Sequence, residues 1–498
     1  MSNEKQSTLE TIINQRKEKV EKIKELGVNP YAYNFSISEK SKEIIDNYDK
    51  FESKEVVIAG RLMAIRKMGK ASFANITDSA GKIQLYVSKK DIGEDSYAIF
   101  KMLDIGDFIG CKGTVMKTRT GETTVKVLEM ELLTKNIRPL PIVKEKDGVL
   151  HDTFSDKELR YRKRYLDLIL NPEVKETFVK RTKIMSATRK FFDDLGYLEV
   201  ETPILQPIYG GANARPFETY HNTLGMNLFL RIADELYLKR LIIGGFDKVY
   251  EICKNFRNEG MDKSHNPEFS VIEFYQAYVD FEYMMNLVEK YFKSIAEMLN
   301  LTTIEYDGNT IDFTKPFERK SMFDLFETYL GVDIKHYGKD EMISLFNDKK
   351  YEYDPKWNYG QLIDKLFDEV VEPNLIQPTF VTDYPKEISP LAKVKRDGDE
   401  RLVERFELFI GKREYANSFS ELTDPIDQRE RLESQAKLRD EGDKEAQIVD
   451  EDFLQAMEYG MPPTGGVGIG LDRVIMLMTG QTSIKDVLLF PQMKKEHV

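Results

Sequence analysis

Cysteine is scarce: two residues, Cys111 and Cys253, stand in a chain of 498. No pairing or metal-ligand spacing surrounds them, so neither a disulfide framework nor a cysteine-based zinc site organises the fold. Both are expected as free, buried thiols. Long apolar runs are missing too, which excludes a membrane-spanning helix of the usual length. The opening MSNEKQSTLE has no apolar core for export. A soluble protein of the cytoplasm, with no membrane partner, is the expectation. Internal repeats and low-complexity tracts are absent. Positive charge is in deficit, and a net −12 speaks against a chain devoted as a whole to nucleic acid, although such an average hides local faces.

What is present is ordinary globular material, 41% hydrophobic and 32% charged, in a chain too long for one core. Ser7 to Leu26 reads as a Lys- and Glu-rich helix stopped by Gly27, with Pro30 just beyond. From Lys54 to Arg138 short β-rich runs follow: VVIAGRLMAI, ASFANITD, KIQLYV, FIGCKGTVMKT and TTVKVLEMELLT. Turn signals such as DSAGK and RTGET separate them. Five short strands suggest a Greek-key barrel of the OB type. This segment holds 15 Lys and Arg against 10 Asp and Glu, a positive module on an acidic body, as a nucleic-acid reader would be. The proline-punctuated RPLPIVKEKDG marks the boundary that follows. Beyond it an amphipathic helix from Val174 to Leu195, stopped by Gly196, leads into a strand ending at Pro203. The organisation expected is therefore α+β: a helical segment 1–53, an OB-type barrel 54–140, a linker 141–160 and a body 161–498 with a helical insertion at about 314–399.

The body is organised around DKVYEICKNFRNEGMDKSHNPEFSVIEFYQA, residues 247–277. Two β-rich runs, Val249 to Cys253 and Phe269 to Tyr275, flank a loop, Asn258 to Pro267, too polar for a core. Arg257 stands at the edge of that loop. A guanidinium held there can take a phosphate in a bidentate grip, and Phe269 on the return strand can lie flat against a purine. By itself the segment also reads as an ordinary charged hairpin.

FRNE, then HNPEF, then EFYQAY resembles motif 2 of the class II aminoacyl-tRNA synthetases, most closely the lysyl-tRNA synthetases of bacterial type. The helix, strand and Pro203 resemble motif 1, which in the family forms a homodimer interface. GGVGIGLDR, Gly465 to Arg473, resembles motif 3, whose glycines let the backbone approach a nucleotide. The resemblance implies a catalytic domain built on an antiparallel sheet flanked by helices, with ATP, L-lysine and tRNA(Lys) as substrates and Mg²⁺ as cofactor. Arg257 and Arg473 are then the catalytic cations. Arg257 holds the α-phosphate and the amino-acid carboxylate; Phe269 and Arg473 sandwich the adenine, and Glu259, His265, Asn266 and Glu407 complete the ATP site. Glu407 and Glu414 match the metal ligands. Lysine is implied to lie among Gly211, Glu235, Arg257, Glu273, Tyr275, Asn417, Phe419 and Glu421, with Glu421, Glu273 and Tyr275 around its ε-ammonium. In the barrel, Phe73, Gln84 and Glu129 match positions that read anticodon uracils, helped by Arg66. An aspartate enzyme would need a cation where these glutamates stand. A lysine-attaching ligase of the same superfamily lacks the barrel, and a non-catalytic paralogue would not keep Arg257, Glu407, Glu414 and Arg473.

Overall fold

The computed structural model describes residues 2–141, 144–146, 149–151, 154–440 and 447–495. It divides into two compact units, Met1–Asp156 and Lys157–Val498. Part of the connector expected at 141–160 lies outside the described residues. Among the described residues no helix is long and apolar enough to cross a membrane.

The first unit begins with helix α1, Ser2–Glu25. Its strands are β1 (Glu55–Met68), β2 (Ala71–Thr77), β3 (Lys82–Ser88), β4 (Phe108–Lys117) and β5 (Thr123–Thr134). They pair in the order β1-β2-β3-β5-β4, and β4 returns to β1. Alternation drives the arrangement: Val56, Ile58 and Leu62 of β1 are buried while their neighbours are not, the period of a strand with one face on a core. Ile23 of α1 joins that core. The sequence reading did not include helix α2 (Lys89–Met102) between β3 and β4. Gly93, at φ 83°, interrupts it and masks its periodicity.

The second unit is built on one eight-stranded sheet. In chain order come helix α3 (Pro172–Asp194), β6 (Leu198–Glu199), helix α4 (Glu235–Ile243), β7 (Lys248–Phe256), β8 (Glu268–Ala277) and helix α5 (Phe281–Met298). Then follow β9 (Glu318–Ser321), helix α6 (Tyr359–Val370), β10 (Thr379–Pro385), β11 (Leu402–Phe409), β12 (Glu414–Ser420), β13 (Thr464–Gly470) and helix α7 (Leu471–Thr479). The order across the sheet is β9-β10-β11-β12-β13-β8-β7-β6. All pairings are antiparallel except those at the two edges, β9 with β10 and β6 with β7. The stretch 314–399 is thus not helical alone, since it supplies β9 and β10.

Residues alternate across this sheet with decisive effect. Ile272 and Phe274 of β8, Phe406 and Leu408 of β11, and Val467 and Ile469 of β13 face a core shared with α3, α5 and α7. Burying each such side chain contributes about 1.5–3 kcal/mol. Their neighbours, Glu273, Tyr275, Arg405, Glu407, Gly466 and Gly468, face the other way and line a cavity.

Candidate active site

That cavity, 480 Å³ in volume, is lined by all the residues of the body that the sequence singled out, from Gly211 to Arg473. Its two ends differ in chemistry.

At one end Arg257 begins the loop after β7, its N–H donating to Pro267 O at 2.9 Å. Its guanidinium lies 5.1 Å from the Phe269 ring centre. Burial pulls its pKa below the ordinary arginine value, against the opposing pull of Glu259, Glu414 and Glu273. Its Nε is buried with no hydrogen-bond partner among the described residues, a donor available to a ligand. Arg473, at the start of α7, donates to Glu414 O at 2.6 Å and pairs with Glu414 Oε2 at 3.3 Å. Its Nη2 lies 3.4 Å from His265 Nε2, and His265 Nδ1 meets Asp262 Oδ2 at 2.9 Å. Asn266 donates to Glu268 O at 2.6 Å, and its Oδ1 is buried with no partner among the described residues. One junction was not read from the sequence. Asp472 Oδ2 accepts the Ser270 N–H at 2.7 Å, and Asp472 Oδ1 accepts from Arg181 of α3 at 2.6 Å.

Along the cavity floor Glu407 accepts from Arg405 at 2.5 Å and from the Tyr384 hydroxyl at 2.8 Å. Burial pushes its carboxyl up to about 7, Arg405 draws it down, and Glu414 and Asp364 push it up. Asp364 and Asp368 of α6, with Glu372 just after it, recur every fourth residue, a helical spacing the sequence reading left unused. Asp368 is exposed and Glu372 half-buried at the surface, yet partial desolvation by the surrounding protein, with like charge nearby, raises Asp368 to about 6 and Glu372 to about 7. An excess of carboxylate is what a divalent cation compensates. Glu407 and Glu414 line the cavity and offer the hard oxygen donors that Mg²⁺ takes, each now paired with an arginine. A separate buried cluster, Asp234, Glu251 and Cys253, has the spacing of a metal site. Glu251 there is already paired with Arg231 at 2.7 Å and accepts from the Thr202 hydroxyl at 2.7 Å.

The other end is acidic. The Tyr275 hydroxyl donates to Glu273 Oε2 at 3.1 Å, and burial, reinforced by Asp234, lifts the Glu273 carboxyl well above its ordinary range. Burial pushes Glu421 up to about 8, against the pull of Lys239. Phe419 supplies an apolar wall, and Asn417 Oδ1 accepts from Arg405 at 3.1 Å. Gly466 sets the depth. A Cβ there would lie 2.2 Å from Glu421 Oε1 and 2.4 Å from Tyr275 Cε1. Gly211, at φ +85°, holds the backbone at the cavity edge beside Glu235. Lys239 and Arg405, both structurally central here, carry no motif signal of their own.

In the first unit Arg66 pairs with Phe73 across β1 and β2, and Phe73 pairs with Tyr86 across β2 and β3. Phe73 is half-buried between the buried Ser72 and Ala74, so it belongs to the outer face rather than to the core. Gln84 donates to Glu122 at 2.7 Å and accepts from Thr124 at 2.8 Å. Glu129, exposed, pairs with Lys112 at 3.4 Å.

Residues 156–494 match the family described as tRNA synthetases class II (D, K and N), and residues 56–133 match the OB-fold nucleic acid binding domain. The chain is 51% identical over 494 residues to the lysine–tRNA ligase of Porphyromonas gingivalis, covering 97% of this chain and 85% of that protein. It is 51% identical over 494 residues to that of Pelotomaculum thermopropionicum, covering 98% and 96%. With that of Christiangramia forsetii it shares 52% over 490 residues, covering 97% and 86%. Set beside a cavity with a cationic end and an acidic end on one sheet face, these matches make the chain a member of the class II lysyl-tRNA ligases.

Proposed function

We propose that this protein activates L-lysine with ATP to give lysyl-adenylate and pyrophosphate, then transfers lysine to the 3′ end of tRNA(Lys). The observation that carries this reading is a single cavity with Arg257, Phe269 and Arg473 at one end and Glu273, Tyr275 and Glu421 at the other. A substrate with a cation at its far end satisfies such a pocket.

In the first step a lysine carboxylate oxygen attacks the α-phosphorus of ATP, and the bond from that phosphorus to the bridging oxygen breaks to release pyrophosphate. The carboxylate is already ionised, so no general base is required, and positioning and charge neutralisation carry the rate. Arg257 grips the α-phosphate and the carboxylate, Phe269 and Arg473 enclose the adenine, and Glu259, His265 and Asn266 complete the nucleotide seat. Glu407 and Glu414 would hold Mg²⁺, which neutralises phosphate charge when bound. Glu421, Glu273 and Tyr275 hold the ε-ammonium, Phe419 the methylene stem, and Glu235, with Gly211 and Asn417, the α-ammonium end. In the second step the terminal tRNA hydroxyl attacks the lysyl carbonyl and AMP leaves.

The first unit we read as a closed OB-type barrel for the anticodon. Phe73 stacks on a splayed base, and Gln84, Glu129 and Arg66 meet base edges and backbone. Its outer-face position supports that role for Phe73. The division at about 140–160 and a homodimer through α3 and β6 complete the proposal. Val179, Leu198, Ile204 and Leu205 are large apolar residues left exposed along that edge, which supports a covered face there. Pyrophosphate exchange measured with each amino acid in turn tests the assignment. Exchange with lysine alone is expected, and exchange with aspartate or asparagine would overturn it.

A further inference from the structure

Behind the acidic end of the cavity sits a lysine of the chain itself. Lys239 lies on α4 one turn after Glu235, and its side chain is 1% exposed. Its Nζ is 2.5 Å from Glu235 Oε1 and 2.5 Å from Glu421 Oε2. The Phe419 and Phe453 rings stand 5.2 Å and 6.0 Å from the ammonium. Glu235, Glu421 and Phe419 line the cavity, whereas Lys239 does not. The ammonium thus occupies the far side of the wall and touches one oxygen of each carboxylate.

The other oxygen of each turns toward the cavity. Glu421 Oε1 lies 2.2 Å from the point where a Cβ on Gly466 would stand, and Glu235 Oε2 lies 3.6 Å from the corresponding point on Gly211. Both glycines line the cavity. Neither Glu421 oxygen accepts a hydrogen bond from any described residue; Oε2 has the ion-pair contact with Lys239, whereas no described cation reaches Oε1, a buried acceptor awaiting a donor.

We infer that Lys239 is a positioning and specificity-determining residue: by engaging one oxygen of Glu235 and one of Glu421 it fixes the separation of two ammonium seats and matches it to the length of lysine. This rests on the lysine reading of the pocket. With Lys239 in place a buried cation stands between the two carboxyl groups and orders both. Without it two buried carboxylates repel and are free to rotate, and the distance between the seats is no longer set. A cation that only held the fold would change stability and both substrate affinities together. One that sets a spacing changes lysine selectively and relaxes discrimination by chain length.

The test is pyrophosphate exchange by the full-length protein carrying Lys239→Met or Lys239→Arg, with lysine and with ornithine, one methylene shorter. For Lys239→Met the KM for lysine should rise about 30-fold, the loss of one partner in a buried charge pair. The KM for ATP should stay within about threefold, and the preference for lysine over ornithine should fall about tenfold, the scale of one methylene. Lys239→Arg keeps the cation and so keeps the fold if the neutral variant does not form. Its wider fork displaces the same two oxygens, and the KM for lysine should rise about fivefold with that for ATP unmoved. A lysine KM within about twofold of wild type in either folded variant, or an equal rise for ATP, overturns the inference. Wild-type protein that fails to exchange with lysine would instead overturn the reading of the pocket, and the inference with it.

Discussion

Replacing Gly466 by alanine tests the acidic end of the pocket at its tightest point. Gly466 is central in the sheet, paired with Tyr275 of β8 on one side and Phe419 of β12 on the other. Its φ is not in the left-handed region, so alanine meets no backbone strain and the effect is steric. The added Cβ would lie 2.2 Å from Glu421 Oε1, 2.4 Å from Tyr275 Cε1 and 2.7 Å from Tyr275 Cδ1, well inside contact distance. Tyr275 is 3% and Glu421 1% exposed, and both line the cavity, so they can yield only by moving off their seats into the space the substrate needs. Overpacking costs about 1–3 kcal/mol of stability. Pushing Glu421 off its seat costs lysine binding about 2–5 kcal/mol, a rise in KM of about 30-fold or more. Thermal melting gives the first number, and pyrophosphate exchange at varied lysine and fixed ATP the second. ATP should keep its KM within about threefold, because the nucleotide end is untouched. A lysine KM within about threefold of wild type would refute the placement of the ε-ammonium beside Glu421 and Tyr275.

Arg257→Ala should lower kcat for exchange by at least about 100-fold while the melting curve is preserved, since it removes a cation aimed at developing charge; exchange within about tenfold would sink the role. Arg181→Met should raise the KM for ATP about tenfold and leave that for lysine, because the lost partner releases Asp472, the residue before Arg473, whose carboxylate is tied to Ser270, next to Phe269; equal changes in both would refute it. Asp368 and Glu372 have folded-state pKa values raised to about 6 and 7 from ordinary values of 3.8 and 4.5. The folded protein therefore binds these protons more tightly than the unfolded chain, and stability falls as pH rises through that window. After allowance for solvent screening, Asp368→Asn with Glu372→Gln should add about 1–2 kcal/mol at pH 8 and nothing at pH 4, measured by denaturant melts; an equal gain at both pH values would count against it. A fragment spanning 157–498, once shown to be folded, should exchange pyrophosphate with lysine but charge tRNA poorly, and its tRNA binding should depend less steeply on salt. Charging as efficient as that of the whole protein would remove the barrel from recognition.

Much of this was legible because strand alternation is a local signal. EFSVIEFYQA carries Ile272 and Phe274 inward and Glu273 and Tyr275 outward, and the sheet does the same. The hairpin strands run further than their apolar residues suggest. β7 continues to Phe256 because the buried Asn255 finds a partner in Asp234, donating at 3.3 Å, a contact 21 residues away that no local pattern reports. Helix α2 was hidden by Gly93. Two strands within 314–399 were obscured by strongly amphipathic helices around them. Lys239 and Arg181 were illegible for another reason. A lysine or arginine on a helix is normally a solvated charge, and only the assembled tertiary structure shows which carboxylate has captured it.

The pocket at the acidic end is bounded by β13, and that strand presents Gly466 and Gly468 where its neighbours present side chains. The space for substrate there is thus created by atoms the chain omits, and glycine is already the smallest residue available. Any change on that wall subtracts volume, so mutation there runs in one direction only. A lineage seeking to accept a bulkier amino acid would have to remodel the neighbouring strands, at Glu421, Tyr275 or Phe419, each of which we assign to the ammonium or the stem. Room for a larger side chain and loss of the grip on lysine are then the same event, and laboratory evolution of this site toward longer analogues should stall at β13.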